Sequence, residues 1–192
     1  MNIWLTTDWH LFRKPEGFSE YIKTKNYNKL MDKIHHLVSS DDILIVLGDL
    51  SHRENEQVDL KQFNDDIRNL PGYHILIKGN HDVLPDNQYY AIGFDRVCTC
   101  CVFDNLIFTH KPIPVGDDEI NIHGHIHNDK FVSIDTRHIS IPPVEGSEYP
   151  PVMTLDDVLR LSCIRKDDFI VACMEMNPDK EQCHKISTSK DY

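Results

Sequence analysis

Aspartate, histidine and asparagine residues recur in short clusters between residues 8 and 127 of this 192-residue chain. The clusters are Asp8-Trp9-His10, Gly48-Asp49, Gly79-Asn80-His81-Asp82, Thr109-His110 and Gly124-His125-Ile126-His127. Imidazole nitrogens and carboxylate oxygens are ligands that suit Zn, Fe, Mn or Ni. Because the clusters offer more ligands than a single ion can use, we expect a pair of ions that share a bridging carboxylate.

Short, β-branched apolar runs stand directly before these clusters. They predict strands at residues 3–7, 43–47, 74–77, 106–109 and 120–123. Apolar residues at helical spacing predict helices over residues 19–38 and 58–70. The β-α-β-α-β order, with strands apolar on both faces, predicts a parallel sheet flanked by helices. Ligands of open α/β sheets bind outside the carboxyl ends of the strands, so we expect the clusters to meet at one rim.

In the second half of the chain, the pattern predicts short strands more often than helices. Residues 96–103 and 106–109 predict a hairpin, and residues 131–134 and 138–141 predict further short strands. Residues 156–162 predict a short helix that Thr154 caps, with Asp157 completing a capping box. The loops at 83–94 and 111–119 are the expected walls of a substrate site. We expect one domain over residues 1–176 and a polar tail over residues 177–192.

The five clusters resemble, in order, the signature blocks of calcineurin-like metallophosphoesterases. A D-x-H or a G-D alone carries little weight, whereas GNHD and GHxH together, in order and at predicted strand ends, are highly specific. The resemblance implies an α/β fold, a four-layer αββα sandwich with mixed sheets. The remainder of the chain matches no such motif.

The resemblance also implies a role for each residue of the blocks. One metal ion would be held by Asp8, His10, Asp49 and His127, and a second by Asp49, Asn80, His110 and His125. Asp49 would then bridge the two ions. His81 would lie over the phosphate, where it stabilises charge or protonates the leaving group, and we expect Asp82 to orient its ring.

In the family that the blocks resemble, two ions acidify a shared water, and metal-bound hydroxide attacks phosphorus in line. We therefore expect a binuclear metal-dependent phosphodiesterase that hydrolyses a small-molecule or nucleotide phosphate ester. A phosphomonoesterase of the same family and a metal-binding scaffold on the same fold are the alternatives. Manganese is the expected metal, with iron, zinc or nickel as alternatives. The presence of His81 favours an enzyme, because a trafficking-complex subunit of this fold lacks the corresponding histidine.

Departures from the block patterns narrow the expected substrate. Ser/Thr protein phosphatases of the family carry GDxVDRG and RGNHE, whereas this chain reads Gly48-Asp49-Leu50-Ser51-His52-Arg53, lacks the arginine before GNH, where it has Lys78, and has Asp82 in place of the glutamate. A protein phosphatase is therefore not expected. Repair nucleases of the family share GNHD but append capping and DNA-binding segments that the sequence after His127 can hardly supply.

Several positive or titratable residues follow the motifs and are candidates for binding substrate phosphate. They are Arg13, His52, Arg53 and Lys111, for which a solvated surface position is the alternative. His123, directly before the last block, is expected to pack beneath the site or support it.

Charge and composition limit the partners and the compartment. Twenty Lys and Arg against thirty-one Asp and Glu give a net charge of −11, which argues against extended nucleic-acid binding because duplex binding relies on a basic face. A small phosphate-ester substrate is expected. For the oligomeric state, both a monomer and a homo-oligomer are compatible with the sequence. The sequence does not begin with a signal-peptide pattern. Its apolar runs are too short to span a bilayer, so we expect no membrane partner. The six cysteines, three of which lie together at 98, 100 and 101, are expected to be reduced thiols in a cytoplasmic protein.

Overall fold

The computed structural model describes residues 1–13, 22–23, 26–51, 64–127, 133–135, 137–145, 147 and 151–162. The strands in this part of the chain are β1 (Ile3–Thr6), β2 (Phe12–Arg13), β3 (Ile22–Lys23), β4 (Ile43–Val46), β5 (Tyr73–Ile77), β6 (Arg96–Cys98), β7 (Cys100–Phe103), β8 (Leu106–Thr109), β9 (Ile120–His123), β10 (Ser133–Asp135), β11 (His138–Ser140) and β12 (Met153–Thr154). The helices are α1 (Tyr27–Leu37), α2 (Asn64–Arg68), α3 (Asp86–Ile92) and α4 (Leu155–Ser162). The hairpin of β2 and β3 stands apart from the two five-stranded sheets that the other strands form.

The first sheet has the strand order β12-β1-β4-β5-β6, in which β12 is antiparallel and the other four strands are parallel. Its parallel strands are apolar on both faces because both faces are covered. In β4, Leu44 and Val46 pack with residues of the first three helices, and Ile45 packs toward the second sheet. The near-continuous apolar run of β4 thus fits a strand between two cores.

The second sheet has the order β10-β11-β9-β8-β7 and is also mixed. The β8–β9 and β9–β11 pairs are parallel, whereas the β7–β8 and β10–β11 pairs are antiparallel. Phe108, Ile122 and Ile139 of this sheet share a buried core with Ile45 and Ile77 of the first sheet. The predicted α/β sandwich with mixed sheets is confirmed. None of the helices that the structure describes is long and apolar enough to cross a membrane.

A predicted hairpin and a predicted helix have different bounds in the structure. Residues 96–103 do not form one arm of a hairpin, because β6 belongs to the first sheet and β7 to the second, and the chain crosses between them at Thr99. The hairpin consists of β7 and β8 alone. The helix predicted over residues 19–38 begins only at Tyr27, after Asn26, and residues 22–23 are extended.

A helix was missed between β5 and β6. Residues 83–94, predicted as a loop, contain α3, which starts after Pro85 and ends at Gly93, whose φ of 120° is left-handed. The helix has seven residues, too few for helical spacing to stand out in the sequence. It is held by burial of Tyr89 and Ile92 in the core between the helices and the first sheet.

The short C-terminal helix follows its prediction closely. The backbone N–H of Asp157 donates to Thr154 Oγ1 at 3.1 Å, and the Thr154 hydroxyl donates to Asp157 Oδ2 at 2.6 Å. This reciprocal pair confirms the predicted cap of α4. The predicted helix over 58–70 is described only in part, as α2, and residues 131–132 and the tail over 177–192 lie outside the described residues.

Candidate metal centre

Seven polar side chains come together where strands of both sheets end. The first sheet supplies Asp8 and His10 after β1, Asp49 after β4 and Asn80 after β5, and the second supplies His110 after β8 and His125 and His127 after β9. The rim predicted from the sequence therefore exists, and it lies across the two sheets.

The backbone at these strand ends is unusual. Left-handed φ angles occur at Asp8 (49°), His10 (40°), Asp49 (53°), His125 (70°) and His127 (44°). Residues other than glycine rarely adopt this region, and each instance costs about 1–3 kcal/mol. Five of the seven candidate ligands thus hold strained conformations, which the surrounding structure must impose. Strain of this kind is typical of functional sites.

The turn after β1 shows how the strain is held. Trp9, between the two ligands Asp8 and His10, is fully buried, and its Nε1–H donates to Thr6 Oγ1 at 2.9 Å. The His10 amide donates to the Asp49 carbonyl at 3.0 Å, so the loops after β1 and β4 run side by side. Burial of the middle residue leaves the two flanking side chains on the site.

One group of candidate ligands contains Asp8, His10, Asp49 and His127. Each offers one ligand atom, and these atoms all lie within 4.8 Å of one another. His127 Nε2 is 3.2 Å from Asp8 Oδ1 and 3.2 Å from His10 Nε2. Asp49 Oδ2 lies 3.9 Å from His10 Nε2.

A second group contains Asp49, His110 and His125. His110 Nε2 is 3.2 Å from Asp49 Oδ2 and 3.2 Å from His125 Nδ1. The amide oxygen of Asn80 lies 3.1 Å from the same His110 nitrogen. A single oxygen, Asp49 Oδ2, therefore faces both groups.

The atoms that converge here are acceptors. His110 Nδ1 lies 2.7 Å from the Leu47 carbonyl, and with its N–H donated there, the Nε2 lone pair faces the oxygens of Asp49 and Asn80. Asp8 Oδ1 and Asp49 Oδ2 are buried and accept no hydrogen bond from the described residues. Buried anionic oxygens need a positive partner, and a divalent cation with nitrogen and oxygen ligands supplies one. The residues present fit a metal ion in each group.

The ionisation of Asp8, Asp49 and His10 suits cations, whereas the neighbouring carboxylates raise the pKa of His110 and of His127. Burial alone would raise the pKa of Asp49, but the neighbouring His110 ring outweighs it and lowers that pKa to about 2. Burial opposes a low pKa at Asp8 in the same way, and the His127 ring beside it prevails. Burial lowers the pKa of His10. Near neutral pH the two carboxylates are therefore ionised and the His10 ring offers a lone pair.

His81 lies beside the shared oxygen. Its Nε2 is 3.9 Å from Asp49 Oδ2, and its ring meets the His10 ring edge to face with centroids 5.3 Å apart. The His81 amide donates to Asp49 Oδ1 at 2.9 Å. The side chain is 17% exposed, so the ring borders the site and also reaches solvent.

Asp82 has a different task from the predicted one. Instead of orienting the His81 ring, its carboxylate accepts three backbone N–H groups: Gly79 at 2.8 Å, Asp49 at 2.8 Å and Leu50 at 3.0 Å. Burial raises the pKa of Asp82 to about 6 against the pull of these amides. Asp82 thus ties the loop after β4 to the loop after β5.

At two positions of the blocks, a residue larger than glycine would collide with its neighbours. A Cβ on Gly79 would lie 2.6 Å from the Asp49 backbone nitrogen and would collide with the Asp49 carboxylate. A Cβ on Gly124 would collide with the Thr7 hydroxyl and lie 2.7 Å from Asp8 Oδ2. At both positions a side chain would displace a candidate metal ligand.

An open cleft of about 360 Å³ adjoins the second ligand group. Its lining includes Asn80, His110, Lys111 and Ile113. Of the predicted phosphate-binding residues, the exposed Lys111 thus lies next to the site. Lys111 and Ile113 of the loop over 111–119 form part of the cleft wall, whereas no residue of 83–94, the other predicted wall, lines it.

The side chains of the other predicted phosphate-binding residues lie outside the described part of the structure. Arg13 belongs to β2, and its side chain is not described, while His52 and Arg53 lie outside the described residues. Lys78 also lines the cleft, but its Nζ donates to the Leu84 carbonyl and to Asp86 Oδ1, both at 2.9 Å.

Sequence reasoning missed Glu145, whose Oε2 lies 3.6 Å from His127 Nδ1 and 3.7 Å from His10 Nε2. This residue belongs to no motif, and only the tertiary fold shows its position. His123 is fully buried, as expected, with Nδ1 2.9 Å from the Gly124 carbonyl.

Comparisons with known proteins agree with this geometry. A family model described as calcineurin-like phosphoesterase matches residues 1–185. A solved protein of unknown function from Aquifex aeolicus is 21% identical, with a TM-score of 0.57 over 83% of this chain and 98% of that one. The nuclease MPE from Pseudomonas putida is 20% identical, with a TM-score of 0.52 over 82% and 85% of the two chains. These two likenesses show a shared fold, and no match was found among the curated proteins.

Proposed function

The chain belongs to the calcineurin-like phosphoesterase family, which includes metal-dependent phosphoester hydrolases, and we propose that it is a binuclear phosphodiesterase. Its substrate would be a small-molecule or nucleotide phosphate ester. The observation that carries the proposal is the position of Asp49 Oδ2, 3.9 Å from His10 Nε2 in one ligand group and 3.2 Å from His110 Nε2 in the other. A shared carboxylate oxygen is what two adjacent ions require.

The two groups would each hold one divalent cation. Asp8, His10, Asp49 and His127 form one proposed site, and Asp49, Asn80, His110 and His125 form the other. When bound, the cations would acidify a shared water and neutralise charge on the phosphate oxygens. Manganese is the proposed ion and iron, zinc and nickel are the alternatives, since nitrogen and oxygen ligands without thiolate suit all four.

His81 would act on the phosphate itself. Its ring borders the shared Asp49 oxygen and is partly exposed, so an ester resting against both sites would meet it. From there a protonated ring would donate to the departing oxygen or stabilise charge on the phosphate.

The cleft supports a diester over a monoester. It opens beside Asn80 and His110, where the second ester substituent of a diester would find room. Lys111 on its rim would pair with a non-bridging phosphate oxygen. A phosphomonoesterase would use the same ions without needing this space.

A substrate panel tests the proposal. Protein loaded with Mn²⁺ should hydrolyse bis(p-nitrophenyl) phosphate faster than p-nitrophenyl phosphate, and Lys111→Ala should raise KM for the diester. Lys29→Ala, a charge change on the exposed face of α1, is the matched control and should leave KM unchanged. Faster turnover of the monoester would favour the monoesterase, and two bound metals without any hydrolysis would favour the scaffold.

An oligonucleotide belongs in the same panel because the Pseudomonas putida neighbour is named a nuclease. We propose a small ester, since a net charge of −11 opposes binding to an extended polyanion. Turnover of single-stranded DNA well above that of small diesters would overturn this choice. Action in the cytoplasm is part of the proposal, because the six cysteines would stay reduced there.

A further inference from the structure

The carboxylate of Glu145 lies beside the His127 ring, near its Nδ1 atom. Its Oε2 is 3.6 Å from His127 Nδ1, while the opposite ring nitrogen, Nε2, faces Asp8 Oδ1 at 3.2 Å. The same oxygen is 3.7 Å from His10 Nε2. The carboxylate thus reaches the Nδ1 side of the His127 ring and also the His10 nitrogen that belongs to the ligand group.

The backbone fixes this placement. The Glu145 amide donates to the Asp8 carbonyl at 3.0 Å, and the amide of the preceding Val144 donates to the Thr7 carbonyl at 3.1 Å. Val144 is itself 1% exposed within the core. Glu145 is therefore attached to the same strand end that supplies Asp8, although it follows β11 in the chain.

The second ligand group has a comparable arrangement. There the Leu47 carbonyl lies 2.7 Å from His110 Nδ1, which leaves His110 Nε2 for the ligand cluster. Histidines that bind metals commonly donate their other N–H to a carboxylate or a carbonyl, which fixes the tautomer and the ring orientation. At 3.6 Å, a small side-chain rotation or a bridging water would complete the same contact for His127.

We propose that Glu145 is a positioning residue for the first metal site, a role that rests on the proposed function. It accepts the Nδ1–H of His127, so that Nε2 presents its lone pair to the cation. Removing it should weaken the first site and leave the second site unchanged.

Calorimetric titration of the metal-free protein with Mn²⁺ tests this role without measuring activity. We expect Glu145→Ala to weaken one of two sites by about 10- to 100-fold, the usual effect of losing such a partner. Glu145→Gln, which keeps the shape and an acceptor, should lose less. Asp156→Asn, an exposed acid on α4, is the matched control and should keep both affinities. Thermal unfolding in chelator shows that each variant is folded, and Glu145→Gln carries the test if Glu145→Ala does not fold.

A double-mutant cycle separates positioning from direct ligation. If Glu145 acts through His127, then Glu145→Ala should add little to the loss caused by His127→Ala. Additive losses would overturn the positioning role and make Glu145 a ligand. Unchanged affinity in every Glu145 variant would overturn the inference and leave the proposed function standing, whereas a wild-type protein that binds no metal would overturn both.

Discussion

At the scale of single residues, Asp49 is the candidate ligand that the two groups share. Its Oδ1 accepts the His81 amide, its Oδ2 faces both ligand groups, and its backbone amide is held by Asp82. The side chain is almost fully buried, so solvent cannot replace a missing partner. A change at this position should therefore affect both proposed ions together.

Replacing Asp49 with asparagine tests this directly. Asp49→Asn keeps the size of the side chain but removes the charge that two cations would share, so we expect lower metal content and no measurable hydrolysis. Metal analysis of the purified variant and a diester assay measure the two effects, with Asp156→Asn as the control for a lost carboxylate. Two retained metals with near-normal turnover would rule out the bridging role.

His81 should behave differently from the ligands around it. We expect His81→Gln to keep both metals while hydrolysis slows by about 10²- to 10⁴-fold, the usual contribution of general-acid catalysis. A nitrophenyl ester should suffer less than an alkyl or nucleoside ester, because nitrophenolate departs readily without a proton. Equal slowing of both esters would indicate electrostatic stabilisation instead, and loss of metal would make His81 a ligand.

The sequence predicted the proposed ligands but not their supporting contacts. Asp8, Asp49 and His110 could be found because each follows an apolar strand in a motif of fixed spelling. Glu145 could not, since its nearness to His127 depends on how the segment after β11 returns to the end of β1. The three amides that Asp82 accepts were hidden for the same reason, because two of them belong to another loop.

At the scale of elements, the loops after β4 and β5 form one unit. Asp82 joins them by hydrogen bonds, and Gly79 lets them approach so closely that a Cβ there would collide with the Asp49 carboxylate. Asp49, with its left-handed φ, stands within this close packing. The position of the shared ligand is thus a property of two loops together.

Gly79→Ala should separate these loops. The new Cβ would lie 2.6 Å from the Asp49 amide nitrogen, so the backbone must move, and overpacking of this kind costs about 1–3 kcal/mol. We expect a lower melting temperature and weaker metal binding, measured by thermal unfolding and Mn²⁺ titration. Gly116→Ala is the control, because its nearest neighbour is the flexible Glu119 carboxylate at 3.2 Å. Equal behaviour of the two variants would contradict the steric argument.

Elements were predictable where local pattern and tertiary burial agree. The run in β4 is apolar at every position because both faces of the strand are covered, and this shows in the sequence. The switch at Thr99 does not show, because β6 and β7 read as one extended run although they belong to different sheets. For α3, burial of Tyr89 supplies the stability that so short a helix lacks by itself.

At the scale of the whole molecule, the candidate centre lies at the junction of the two sheets. Asp8 and Asp49 come from the first sheet, and His110, His125 and His127 come from the second. Each proposed ion would therefore have ligands from both sheets. Bound metal should act as a cross-link that supplements the apolar core between the sheets.

Removing metal should therefore destabilise the whole fold. At a free concentration one hundred times Kd, each ion would add about 2.7 kcal/mol to the free energy of unfolding, which for a chain of this size corresponds to a melting temperature higher by about 5–10 °C. Thermal unfolding with Mn²⁺ and with a chelator measures the difference. Asp49→Asn should lose most of it, because both sites share this carboxylate, whereas Asp156→Asn should keep it. Equal melting temperatures with and without metal in the wild-type protein would show that no ion joins the two sheets.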